Sequence, residues 1–201
     1  MTAAEQMSDT IARLKVVLED TEPTIWRQVE VPAVMTLNDL HSVIQAAMGW
    51  ENAHLFQFHV GRETIAGPGM GGDGARPVSA GRVQLGDLAA RGIKRFGYVY
   101  DMGDNWEHTI RIEKLLSADP AATYPRLIAG ALRCPPEDCG GIPGFYAFLG
   151  AVGDPNHPDH GDRIDWYGDA FDPDRFDAAR INKDLRRIAA RRKRAAAKRA
   201  R

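Results

Sequence analysis

Tyr98-Val-Tyr-Asp-Met-Gly-Asp-Asn-Trp-Glu-His108 places two aspartates, a glutamate, an indole and an imidazole within eleven residues. Carboxylate oxygens and imidazole nitrogens are donors for divalent ions, and the same groups move protons. Asp101, Asp104 and His108, with Trp106 between them, therefore form a candidate polar cluster. It would bind a partner or, in a metal-dependent hydrolase, hold an ion that supplies hydroxide. The residues suit a plain turn equally well, with aspartates bonding backbone amides and Trp106 and His108 packed in the core. Composition and spacing leave both readings open.

Cys134-Pro-Pro-Glu-Asp-Cys-Gly-Gly141 is a second polar segment. Cys134 and Cys139 have four residues between them, the upper end of the spacing used by structural zinc sites. Zinc takes four ligands, and His157, His160 and His108 are the available imidazoles, so Cys134, Cys139, His157 and His160 are candidate metal residues and zinc the candidate cofactor. The alternative is a Pro- and Gly-rich turn with buried thiols. Two cysteines do not make a disulfide framework for a chain this long. The aspartates around His157 lack the glycine and terminal glutamate of an EF-hand, and read better as a solvated loop. Gly67-Pro-Gly-Met-Gly-Gly72 matches a phosphate-binding glycine pattern only in letters. Arg76-Pro77 follows where a helix should open, so an inter-strand insertion is expected.

Charge is divided unevenly along the chain. Residues 181–201 hold ten Lys/Arg against Asp184, a balance of +9, which leaves −10 for the rest. Arg191, Arg192, Lys193, Arg194, Lys198 and Arg199 are candidate nucleic-acid contacts, because clustered cations neutralise phosphates and release counterions. The other reading is a solubilising end that folds back onto the acidic body. A composition that is 44% hydrophobic and 26% charged is that of a soluble globular protein. No apolar run is long enough to cross a bilayer. The N-terminus has neither the basic nor the apolar region of a secretory signal, so a cytoplasmic location is expected.

The elements that must position these residues are legible in part. Alternation predicts strands over about 13–19 and 25–31, joined as a hairpin across Asp20–Pro23. Thr36 and Asp39 read as a capping box opening a helix over Leu37–Met48, with Gly49 as its left-handed stop. Strands follow at His54–Val60, Phe96–Tyr100, His108–Leu115 and Leu127–Leu132, with a short element at Val83–Leu88. Pro143 suits a helix first turn. A short segment lies around Ile164–Tyr167, and a last helix is expected from Asp172–Asp174 through Ile188. The order predicts an α+β fold, β-grasp-like (ubiquitin-like), with a helix on a mixed sheet and added C-terminal helices. Residues 1–188 read as one domain. Residues 189–201 read as a basic tail, disordered or helical.

The set Ile25-Trp26-Arg27, Leu37–Trp50, His54-Leu-Phe-Gln-Phe58, Tyr100–His108, Cys134–Gly141 and Phe171-Asp-Pro173 resembles the Ri-plasmid open-reading-frame-three family, whose members are often labelled insertion-element passenger TnpR proteins. The resemblance spans about residues 12–188. It implies a compact α+β domain associated with plasmids and mobile elements, and it brings no assigned activity. The combined expectation is a non-catalytic binding module for nucleic acid or a protein partner, with the metal-dependent hydrolase as the alternative.

Overall fold

The computed structural model describes residues 9–70 and 77–199. The N-terminal octapeptide, residues 71–76 of the glycine-rich segment, residues 200–201 and the side chain of Arg199 lie outside the described residues. Eight strands form one sheet: β1 (Thr10–Leu18), β2 (Trp26–Pro32), β3 (Phe56–Val60), β4 (Glu63–Ala66), β5 (Val78–Ser79), β6 (Arg95–Tyr100), β7 (Trp106–Ser117) and β8 (Arg126–Ala131). Their order is β5-β4-β3-β6-β7-β1-β2-β8. The helices are α1 (Leu37–Met48), α2 (Leu85–Ala90), α3 (Gly141–Gly153), α4 (His160–Tyr167) and α5 (Ala178–Arg199). No helix among the described residues is long and apolar enough to cross a membrane.

The hairpin and α1 form where local chemistry placed them. Ile11↔Pro32 through Val17↔Trp26 pair antiparallel, and Leu14, Val16, Val29 and Val31 are buried. The Thr36 hydroxyl accepts from Asp39 N at 3.1 Å, and Asp39 returns a carboxylate to Thr36 N at 3.3 Å. Gly49 ends the helix at φ 91°, with its N–H on Gln45 O. Leu37, Leu40, Val43, Ile44 and Ala47 then bury one face of α1 in the core.

The fold is mixed α+β, but its topology is not that of a β-grasp, which sets its first strand parallel to a later one. Here β1 lies between β2 and β7 and is antiparallel to both. The parallel pair is β4–β5, at the sheet edge. Short turns such as the β6–β7 connection can join only antiparallel neighbours, and the chain uses them at the sheet centre. Two short strands that the sequence pattern does not predict, β4 and β5, flank the glycine-rich insertion. The last helix starts at Ala178 rather than Asp172. The preceding residues form aspartate turns, with Asp172 Oδ1 accepting from Asp174 N and Asp177 Oδ1 from Arg180 N. The helix then runs through the expected tail as far as Arg199.

A buried carboxylate ties three strands together. Glu30, 1% exposed, takes Arg13 Nη2 on Oε1 at 2.6 Å and Arg126 Nε on Oε2 at 2.7 Å. Burial pushes its carboxyl up, but the hydrogen bonds and charges of the two arginines outweigh that and hold it below the usual range. A depressed folded-state value stabilises the protein above the ordinary carboxylate range, and this contribution is lost as pH falls through the lowered value. We expect the urea midpoint of the wild-type protein to exceed that of Glu30→Gln at pH 7. The difference should shrink as the pH is taken below about 4; a constant difference would contradict this role.

Candidate functional site

Three segments far apart in sequence meet at one end of the sheet. They are the stretch from Trp50 to Leu55 entering β3, the β6–β7 turn, and the Cys134–Gly141 loop. Asp101 opens the turn at φ 58° and Asn105 closes it at φ 54°. Asp101 Oδ1 accepts from Gly103 N at 2.9 Å, and its carbonyl accepts from Asn105 N at 2.7 Å. Asp138 in the loop and Asn52 before β3 also have positive φ, 56° and 60°. Asn and Asp tolerate this region better than other non-glycine residues. The concentration of such conformations around one site is the kind of strain that packing must hold in place.

The segments are cross-linked by polar contacts. Asp104 Oδ2 accepts from Gly140 N at 3.1 Å. The Tyr100 hydroxyl donates to Glu137 Oε1 at 3.0 Å and accepts from Ala53 N at 3.0 Å. Burial and then the Glu137 contact push its pKa well above the usual phenol value. Glu51 N donates to Glu137 Oε1 at 2.7 Å, and Trp50 Nε1 to Pro135 O at 3.0 Å. Trp50 also stacks on Tyr100 with ring centroids 5.1 Å apart. Gly141, at φ 66°, lies against the turn so closely that a Cβ would sit 2.5 Å from Asp104 O. Gly141→Ala combines that clash with left-handed backbone, so it should cost about 2 kcal/mol or more of unfolding free energy by denaturant titration. A neutral result would mean that the loop and turn separate freely.

His54 lies at the centre. Its Nε2 is 2.8 Å from Asp138 Oδ1, 3.6 Å from Asp101 Oδ2 and 3.9 Å from Glu137 Oε2. Among the described residues, His54, Asp101 and Asp138 are the set of three or more metal-capable side chains whose ligand atoms lie within 4.8 Å of one another. Of the sequence-predicted cluster, Asp101 joins this set. Asp104 faces the Cys134–Gly141 loop. Trp106 is fully buried in the core beside Trp50. His108 is buried between Tyr98 and Trp50, with Nδ1 2.9 Å from Trp106 O. Burial lowers its pKa to about 4, against the hydrogen bonds to backbone, so it is neutral near pH 7.

The cysteines and C-terminal histidines do not converge within that distance. Cys134 Sγ lies between Arg27 Nη2 at 3.3 Å and Met48 Sδ at 3.1 Å. Burial raises its pKa, with Arg27 opposing. Burial, then the Asp104 charge, pushes Cys139 up to about 12. Both are free thiols. His157 Nδ1 accepts from Asp159 N, and His160 Nδ1 lies 2.8 Å from Ala151 O, in the α3–α4 connection. His54, Asp138, Glu137 and Tyr100 were not legible as site residues; no spacing rule links the three separate segments that bring them together.

The basic residues occupy a docked helix. Ile181, Leu185 and Ile188 bury one face of α5, which packs on β8 and α1. Arg192 pairs with Asp39, and Arg187 with Asp184 at 2.6 Å. Lys183, Arg186, Arg191, Lys193, Arg194 and Lys198 are exposed. No described ion pair engages any of these six. At 100° per residue Lys183, Arg186, Lys193 and Arg194 lie on the side away from the buried stripe, with Arg191 and Lys198 on one flank. Arg191 and Arg192 also border a cavity of about 610 Å³ that His41, Asn52 and His54 line from the other side.

This is a mixed α+β domain carrying a convergent polar site at one end of its sheet. The family model described as Plasmid pRiA4b ORF-3-like protein matches residues 10–180, and the chain belongs to that family. It is 39% identical over 187 residues to the uncharacterized protein y4hQ of Sinorhizobium fredii (strain NBRC 101917 / NGR234), covering 92% of this chain and 95% of that one. It is also similar to the crystal structure of the protein of unknown function MM3350 from Methanosarcina mazei Go1, with a TM-score of 0.76 and 36% identity over 85% of this chain and 96% of the other. The polar site lies inside the matched span, whereas the exposed cations of α5 begin at its end.

Proposed function

We propose that the protein is a non-catalytic binding module of a plasmid- and mobile-element-associated family, and that the solvent face of α5 contacts nucleic acid. The observation that supports this is the row of six exposed, unpaired cations from Lys183 to Lys198, on a helix docked against an acidic body. From the first to the last, this face is about 22 Å long at 1.5 Å per residue. It offers no aromatic ring for stacking on unpaired bases, so the partner is duplex backbone rather than single strands. The acidic remainder repels phosphate and orients the molecule with α5 toward the duplex.

The contact surface under this reading starts before the tail. A double variant in the docked part of the helix, Lys183→Glu with Arg186→Glu, should weaken binding to a duplex DNA about as much as Lys193→Glu with Arg194→Glu. Fluorescence anisotropy at fixed salt reads both. Full retention of affinity in the first pair would confine any interface to the end of the chain.

A further inference from the structure

We propose that His54, Asp101 and Asp138 form a binding site for a first-row transition-metal dication, with Glu137 at its margin. The proposal is independent of the nucleic-acid reading. Ligand atoms about 2.1 Å from a common ion stand about 3.0 Å apart at right angles and about 3.4 Å apart at tetrahedral angles. The separations of 2.8 Å and 3.6 Å from His54 Nε2 to Asp138 Oδ1 and Asp101 Oδ2 fall around those values. The donors are also left unused by the protein. His54 Nε2 is sealed from solvent and makes no hydrogen bond, although a carboxylate oxygen is 2.8 Å away. Asp101 has a side chain only 10% exposed, and the oxygen it turns toward Nε2 accepts no hydrogen bond; its one acceptor contact, with Gly103 N, uses the other oxygen. A sealed imidazole nitrogen without a hydrogen-bond partner, facing the carboxylate oxygen of a side chain that is nine-tenths buried, is costly, and a shared cation would satisfy both.

The donor set selects the ion. One imidazole with two carboxylates suits Zn2+ or Mn2+ better than Ca2+ or Mg2+, which prefer all-oxygen shells. Three protein ligands leave coordination positions open. His54 also lines the cavity beneath Arg191 and Arg192. Both cysteines lie outside this set.

Chelator-treated protein titrated separately with Zn2+ and Mn2+ tests the site. One ion per chain should bind with a micromolar or tighter Kd for at least one metal. His54→Gln and Asp138→Asn should each weaken it at least 30-fold. The side chains at these positions are 30% and 68% exposed, so both variants should keep the wild-type circular dichroism. Mn2+ bound at the site should broaden the His54 ring signals in NMR before those of His157 and His160. The proposal is overturned by binding no tighter than millimolar, by binding that both variants leave unchanged, or by binding lost through Cys134→Ser or His157→Ala instead. A variant that unfolds is replaced by the NMR broadening on wild-type protein, where the first histidine affected decides the matter.

Discussion

Arg27→Met is expected to lower the unfolding free energy by about 3–5 kcal/mol, among the largest effects of any single substitution in the chain. Arg27 is 2% exposed. Its Nε donates to Ala47 O at 2.8 Å, Nη1 to Trp26 O and Ala131 O, and Nη2 to Leu132 O at 2.8 Å. It thereby ties the last turn of α1 to β2, to β8 and to the chain entering the Cys134–Gly141 loop. Methionine fills similar volume but donates nothing, so several carbonyls lose a charge-assisted partner in the interior at about 1–3 kcal/mol each, partly recovered by relaxation. The Phe176 ring, 5.0 Å from the guanidinium carbon, loses its cation as well. Urea unfolding at pH 7 measures the loss. A change below about 1 kcal/mol would mean that these carbonyls are hydrated in solution and that Arg27 does not hold the loop.

Reversing four exposed cations, Lys183→Glu, Arg186→Glu, Lys193→Glu and Arg194→Glu together, is expected to reduce duplex DNA affinity on the order of 10²–10³-fold while leaving the thermal midpoint nearly unchanged. Each cation that neutralises a phosphate releases counterions, and a carboxylate in its place adds repulsion. None of the four packs in the core or forms a described ion pair, and exposed charges contribute little to folding. A matched variant carrying Glu in place of Lys15, Lys94, Lys114 and Arg111, cations of the sheet and its margin, should retain most of the affinity. Equal losses in the two variants would make the binding a matter of net charge rather than of this face.

The hairpin and α1 were legible because their signals are local. Thr36, Asp39 and Gly49 act within a few residues of the helix they bound, and Leu14 and Val16 alternate along a single strand. The sheet order was not legible, because β1 pairs with β7 across about half of the chain and no short-range period encodes that choice. β4 and β5 were missed because Glu63, Thr64, Val78 and Ser79 are exposed and present no buried-exposed alternation. At the site, Asp101 stood out by its turn. His54 and Asp138 did not, since their meeting depends on Tyr100, Glu137 and Gly141 holding three segments together. The charge of the tail was plain in its composition. That it continues a docked helix follows from the alanines between the charges and from the Arg192–Asp39 pair, which only the folded chain supplies.

The most direct measurement is the affinity of the intact protein for a short duplex DNA across a series of salt concentrations. With four or five phosphates neutralised by the α5 face, log K should fall linearly with log salt at a slope of about −4, or roughly 10²–10³-fold between 50 and 200 mM. No detectable binding at 50 mM, or an affinity that does not change with salt, would contradict the assignment of α5 as a nucleic-acid contact surface.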